Sequence, residues 1–245
     1  DDLSIFSLLV NAIKKHSSLL AENAKISFKA HPKEVISQEK YQRILGEGAQ
    51  GTMLDPTFGD MPYVTSTPTT SQGLSRGMQF EPKSKEVIGV FKAYETRVGE
   101  GPFPTEIPGK LGEELQKKGG EFGATTGRGR RCGWFNLQEA KYAVRVNGLT
   151  WMAITKLDVL DELDEIKVGV KQSEKGVEYK SFKGWKADTT KCRDFDSLPK
   201  EAKDYLMWLE KQLVPIAVVS VGPERNETII TSSFRKHLAS AGVNL

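Results

Sequence analysis

The segment EFGATTGRGRRCGWFN, residues 121–136, sets three arginines into four positions behind a Thr-Thr-Gly turn. Arg128, Arg130 and Arg131 each carry a planar fork of five N–H donors. Such a fork grips a carboxylate or phosphate at two points, where lysine acts more as a point charge. Three neighbouring cations repel one another unless a ligand, acidic neighbours or water relieves them. Thr125, Thr126 and Gly127 can fold around an anion, which favours a ligand site over a solvated basic corner. A second candidate is AITKLD, residues 153–158, an apolar run ending in a lysine with an aspartate two positions later. There Asp158 can accept from the N1–H and exocyclic amine of a guanine, while the Lys156 stem lies over the base. A bare strand exit is the competing reading. SVGP, residues 220–223, could form the other wall at the end of a second strand.

Two further motifs carry less chemistry alone. GEGAQG, residues 46–51, satisfies G-x-G-x-x-G literally, but a dinucleotide fingerprint needs a helix opening at its third glycine. Met53, Leu54, Asp55 and Pro56 lead into a long loop instead. A strand-end turn and a ligand-facing corner presenting the Gln50 amide both remain open. YVTSTPTT, residues 63–70, gathers hydroxyls that can hold a phosphate through neutral hydrogen bonds, or simply face solvent.

The bulk composition narrows the classes. The chain has 245 residues, 38% hydrophobic and 27% charged, with a formal charge of +3. It is long enough to bury a core without covalent staples. Its basic excess is far below that of a dedicated nucleic-acid binder, and the arginine turn lacks the aromatic–basic alternation used for base stacking. Cys132 and Cys192 read as free thiols, and His16, His31 and His237 are too scattered for a protein metal site. No apolar run reaches membrane-spanning length. These features point to a reducing compartment and to neither a nucleic-acid nor a membrane partner.

The elements that must position these groups follow from periodicity. Ile5, Leu8, Leu9, Ala12 and Ile13 recur at helical spacing, as though the chain were entered inside a larger protein. YQRILGEGAQG reads as a short strand running into a glycine turn. Residues 55–82, with Pro56, Pro62, Pro68 and Pro82, show neither period and read as a long loop anchored by Phe58, Met61, Tyr63 and Val64. EVIGVFKAYETRVG is strand-like, and Leu111–Lys117 suits a short helix. Asn136 should cap a helix, with Glu139 in capping-box position. WMAITKLDVLDELDEIKVGV gives strand, turn and strand. Ala202, Tyr205, Leu206, Leu209 and Leu213 share one helical face ahead of the apolar strand PIAVVSVGP. The alternation implies an α/β fold with a mixed, mostly parallel sheet flanked by helices.

Together these stretches closely resemble adenylosuccinate synthetase. The likeness is carried by GEGAQGTMLDPTFGDMPYVTSTPTT, FKAYETRVGEGPFPTE, GEFGATTGRGRRCGWFN, AITKLDVLDELDEIKVGV, GWKADTT and SVGPERNETI, from Glu47 onward. The resemblance implies GTP- and Mg2+-dependent joining of L-aspartate to inosine monophosphate (IMP), giving adenylosuccinate, GDP and phosphate, by a cytoplasmic homodimer. It implies that Gln50 sits near the reacting edge of hypoxanthine and that Thr65 belongs to the loop holding the nucleotide phosphate. It assigns Thr125, Thr126, Gly127 and Arg128 to a mobile loop gripping aspartate, and Arg130 to the aspartate carboxylates and phosphates. Gln50, Arg128 and Arg130 are thereby the catalytic candidates. Lys156 and Asp158 match the guanine-recognition pair, with Ser220, Gly222 and Pro223 as its flanking wall.

Departures from the family pattern shape a further expectation. A glycine-rich phosphate loop with an Asp-Glu-Gly-Lys core and a Gly-His-Asn-Ala-Gly-His run are not found, and Gly129 stands where many relatives carry proline or a basic residue. On this reading residues 1–245 are a C-terminal portion, divisible into 1–85 with the substrate loop and 86–245 with the aspartate loop and guanine pocket. The chain would then lack its phosphoryl-transfer centre and most metal contacts. It would be inactive without a complementing N-terminal half, or would serve as a non-catalytic purine-nucleotide-binding or assembly module.

Overall fold

The computed structural model describes residues 44–78, 85–123 and 127–243. The expected helix at 5–13 lies outside them, as do Tyr41–Arg43, Thr125 and Thr126. Among the described residues the first regular strand is β1 (Ile88–Lys92), followed by β2 (Glu95–Val98). A helix, α2 (Lys110–Lys118), leads to β3 (Arg130–Gly133), β4 (Phe135–Asn136) and α3 (Leu137–Asn147). The chain continues through β5 (Trp151–Thr155), β6 (Glu165–Ser173), β7 (Gly176–Lys183) and α4 (Lys200–Gln212). It closes with β8 (Ile216–Ser220), β9 (Thr228–Ile230) and α5 (Ser232–Ser240). The main sheet has the order β1-β5-β8-β9, with its first three strands parallel and β9 antiparallel. A β2–β3 ribbon and a β4-β6-β7 sheet complete the α/β architecture expected from the sequence.

The period of two along β5 explains the layering. Met152 and Ile154 face the large core with Ile216 and Val219, while Ala153 faces the other way with Ala217, Val218 and Phe234. Side chains alternate across a strand, so a doubly covered sheet is apolar on both sides. Helix α4 covers the first face through Ala202, Tyr205, Leu206 and Leu209, and the Tyr205 hydroxyl donates to the Ala93 carbonyl at 2.6 Å. Helix α5 covers the second, where Phe234 lies 4.9 Å from Trp151 between ring centroids. Asn136 caps α3 as expected: its Oδ1 accepts from the Gln138 and Glu139 amides, and its Nδ2 donates to the Glu139 carboxylate.

Two local expectations are corrected. Ile44 and Leu45 belong to no strand and are exposed, and among the described residues no strand pairs with them. The 55–82 segment contains a helix, α1 (Ser71–Met78), despite Gly73 and Gly77. Intrinsic propensity does not account for it. The Ser71 amide donates to the Asn147 side chain and the Ser71 hydroxyl to the Asn147 carbonyl, so the end of α3 fixes where α1 starts. Tertiary contact overrides propensity here.

Candidate functional site

The loop ahead of α1 is built around Asp55, which is 1% exposed. Its Oδ1 accepts from the Thr57 and Phe58 amides and its Oδ2 from those of Thr69 and Thr70. Burial alone would raise this carboxyl, but the four amides outweigh it and hold the pKa below the ordinary value. That wheel of donors brings the GEGAQG and YVTSTPTT motifs together. The Gln50 amide donates to Thr65 Oγ1 at 3.2 Å, and the Thr67 hydroxyl donates to Gln50 Oε1 at 3.5 Å. Beside them a cleft of about 190 Å³ is lined by Gly48, Ala49, Thr69 and Gly73 among others.

Gln50 and Lys156 share an unusual backbone. Among described non-glycine residues, positive φ occurs only at Gln50 (67°), Lys156 (59°) and Lys186 (43°). Left-handed backbone costs an L-residue energy and persists where the surroundings impose it, often at functional sites. Two of the three are residues the sequence had singled out.

The arginine turn and the Lys-Asp strand exit converge on a group the sequence reading passed over. Glu121 is fully buried. Its Oε2 accepts from Lys92 Nζ at 2.8 Å and from Arg130 Nη1 at 2.9 Å. Its Oε1 accepts from the Tyr94 hydroxyl at 2.6 Å and lies 3.3 Å from Lys156 Nζ. Lys156 Nζ also donates to the Gly119 carbonyl. Burial pushes the Glu121 carboxyl up, but Lys92 foremost, then Tyr94 and Arg130, pull it down to about 2. The same burial lowers Lys92 despite its anionic partner, and raises Tyr94.

The sheet explains the meeting point. Lys92 ends β1, where it pairs in register with Thr155, and Lys156 follows at the exit of β5. Ser220 ends β8, the next parallel neighbour. Open α/β sheets bind ligands at the carboxyl ends of their strands, and this edge carries Lys92, Lys156, Asp158 and the Ser220–Pro223 turn. In that turn the Ser220 hydroxyl donates to the Gly222 carbonyl, and a Cβ at Gly222 would meet Glu227 Oε2 at 2.3 Å, so any larger residue there would displace the Glu227 side chain. Pro223 is exposed beyond it. Asp158 sits under the same edge, its carboxyl raised by burial.

The three arginines do different work. Arg130 belongs to the Glu121 cluster. Arg131 is held by Glu106 Oε2 at 2.8 Å and the Gly101 carbonyl at 2.9 Å, with Phe103 under its guanidinium. Arg128 is exposed, its guanidinium over Gly99. Gly127 holds a φ of 63°. The Gly99–Gly101 segment links the two halves of the site: Tyr63 packs at Gly101 and Arg128 at Gly99. Among the described residues there is no group of three or more His, Cys, Asp or Glu that could hold a metal ion. None of the described helices is long and apolar enough to cross a membrane.

Sequence comparison covers more of the chain than the motifs did. A protein-family model described as adenylosuccinate synthetase matches residues 9–229. The adenylosuccinate synthetase of Nostoc punctiforme is 50% identical over an alignment covering 78% of this chain and 47% of the relative. That of Flavobacterium psychrophilum is 48% identical, covering 79% and 50%. A fully ligated adenylosuccinate synthetase from Plasmodium falciparum superposes with a TM-score of 0.73 at 40% identity, covering 75% of this chain and 49% of that one. A cyanophage S-2L succinoaminodeoxyadenylate synthetase shares the fold alone, at 17% identity and TM-score 0.51. The chain spans about half the length of the curated relatives it matches. The match from residue 9 corrects the expectation of a likeness confined to a C-terminal portion from Glu47 onward. The same coverage overturns the expectations built on the motifs not found: a missing phosphoryl-transfer centre, inactivity without an N-terminal complement, and a merely non-catalytic module. Glycine-rich signatures are conspicuous to a motif reading, whereas likeness spread over ordinary residues before Glu47 is not.

Proposed function

The chain belongs to the adenylosuccinate synthetase family, and from that premise we propose that it serves the GTP-dependent ligation of L-aspartate to IMP, giving adenylosuccinate, GDP and phosphate. The observation carrying this reading is the convergence of Arg130 and Lys156 on Glu121 at the carboxyl edge of the parallel sheet. On this reading Arg130, the fork for the dicarboxylate, lies beside Lys156, the residue for the purine.

The oxygen at the reacting purine carbon is a poor leaving group. Transfer of the GTP terminal phosphoryl group to it makes it a good one. The aspartate amine then forms the new C–N bond as the C–O bond breaks and phosphate departs. The residues of this chain position and neutralise. Asp158 accepts from guanine N1–H and its exocyclic amine, the Lys156 methylenes cover the base, and Ser220, Gly222 and Pro223 form the facing wall. Arg128 and Arg130 hold the dicarboxylate and the phosphate charge, and Thr125, Thr126 and Gly127 belong with them to the aspartate-binding residues. Gln50, steadied by Thr65, addresses the hypoxanthine edge. Magnesium would neutralise phosphate charge in this family's reaction. A cytoplasmic homodimer is part of the same proposal.

Isothermal titration with GDP and ADP tests the purine assignment. GDP should bind at least about tenfold more tightly, a difference of about 1.4 kcal/mol, and Asp158→Ala should remove the preference. Equal affinities for the two nucleotides would rule out the guanine pocket. Phosphate release from GTP that requires both IMP and aspartate checks the reaction itself.

A further inference from the structure

We propose that Glu121 is a positioning residue: it fixes the spacing between Lys156 on the purine side and Arg130 on the dicarboxylate side, and so couples the two halves of the site. The coupling to substrates rests on the ligase reading above; the fixing of Lys156 does not.

The carboxylate is fully buried, and its two oxygens divide their work. Oε2 serves Lys92 and Arg130, and Oε1 serves Tyr94 and Lys156. A carboxylate offers about four lone-pair sites. Three hydrogen bonds and the Lys156 ammonium, an ion pair at 3.3 Å, surround its two oxygens, and with no exposed surface it has nothing to offer a substrate. Its influence must pass through the groups it holds. Those groups come from four places: the end of β1, the β1–β2 corner, the start of β3 and the exit of β5.

The main chain reinforces the arrangement. The Arg130 amide donates to the Glu121 carbonyl at 2.9 Å, and the Glu121 amide to the Gln116 carbonyl at 2.8 Å. Gln116 Nε2 in turn donates to the Arg130 carbonyl at 2.6 Å. Glu121 and Arg130 thus move as one piece anchored on α2. Lys156 reaches that piece from another element through its side chain.

Charge gives the cluster its direction. Three cations face one carboxylate, leaving two net positive charges. Lys92, Arg130 and Lys156 each keep 20 to 25% of the side chain exposed, while the carboxylate has none. An incoming polyanion therefore meets cations held at set separations by an anion it cannot touch. Without Glu121 the three cations would repel, and the exposed ends of Arg130 and Lys156 would spread apart.

Glu121→Gln keeps the volume and an acceptor for Tyr94 but removes the charge. Acetylation by an amine-reactive ester, followed by peptide mass spectrometry, reads the tether on Lys156 without any ligand. Lys110, whose side chain is 89% exposed, serves as the internal reference. Labelling of Lys156 relative to Lys110 should rise about tenfold in E121Q, as expected for loss of a charge-assisted contact. In turnover assays the KM values for GTP and aspartate should rise together by about tenfold, with that for IMP changing less than about threefold. E121D, which keeps the charge one methylene shorter, should fall between the two forms in both readouts. It also carries the labelling test if E121Q does not fold.

Unchanged Lys156 labelling in the variants overturns the proposal. So does an equal rise in all three KM values, which marks general loosening. If the wild-type chain shows no turnover, the ligase reading fails, and the labelling result alone decides whether Glu121 fixes Lys156.

Discussion

Glu95 and Glu139 form a proton-sharing pair whose removal should make the protein more stable in alkali. Glu95, on β2, faces Glu139 in the first turn of α3, and its Oε2 accepts from the Thr105 hydroxyl at 2.8 Å. Burial, followed by the Glu139 charge and hydrogen bond, pushes Glu95 up to about 9. Burial and the nearby Asp60 raise Glu139 as well; Arg97 opposes both shifts, and Asn136 donates to Glu139. The folded state therefore keeps a proton that the unfolded chain releases near its ordinary carboxyl value of 4.5. Stability must then fall as pH rises between 4.5 and about 9. A full proton's difference over three pH units amounts to about 4 kcal/mol. Partial exposure of both side chains to water reduces this, leaving about 2 kcal/mol as the expected size. Glu95→Gln mimics the protonated carboxyl: its amide donates to Glu139 and its oxygen still accepts from Thr105. Urea unfolding followed by tryptophan fluorescence between pH 5 and 9 measures the effect. The variant should match wild type near pH 5 and exceed it by about 2 kcal/mol near pH 8. A deficit of the same size at every pH would refute the shared proton.

The remaining predictions separate architecture from chemistry. Asp55→Ala leaves four loop amides without their acceptor, and should cost about 3–5 kcal/mol. In a chain of this length that lowers the thermal midpoint by roughly 10 °C; a shift of under about 2 °C would show the Asp55 wheel to be dispensable. Arg131→Ala removes contacts to Glu106, Gly101 and Phe103, none of them substrate. It should lower stability by about 1–2 kcal/mol with an aspartate KM within about twofold of wild type. Arg130→Ala should raise that KM by at least about tenfold, and similar KM values for the two variants would contradict the division of roles.

What the sequence reveals depends on where the cause of a structure lies. Helix α4 is legible because burial imprints a helical period on it, and β5 and β8 because burial on both faces leaves short continuous apolar runs. The α3 cap is legible because Asn136 and Glu139 satisfy each other locally. Helix α1 is not, since Asn147, 76 residues away, sets its start. Strand β7 is mostly exposed and gains its shape from pairing with β6, so no apolar alternation announces it.

The site divides along the same line. Arg128, Arg130, Lys156 and Asp158 stand out because their chemistry is unusual for the segments they occupy. Glu121 opens the arginine segment yet carries no such signal, for an acidic residue beside a turn is commonplace. One physical clue was present: three adjacent arginines require neutralisation, and acidic neighbours are one way to supply it. The structure answers with two different anions, Glu106 for Arg131 and Glu121 for Arg130. Only Glu121 also reaches Lys156, because parallel pairing of β1 with β5 delivers Lys92 and Lys156 to the same edge. The convergence is a property of strand order, so it could not be read from any single motif. Its consequence is that the arginine turn and the Lys156 strand exit share one counterion, and a change at either should be felt at the other.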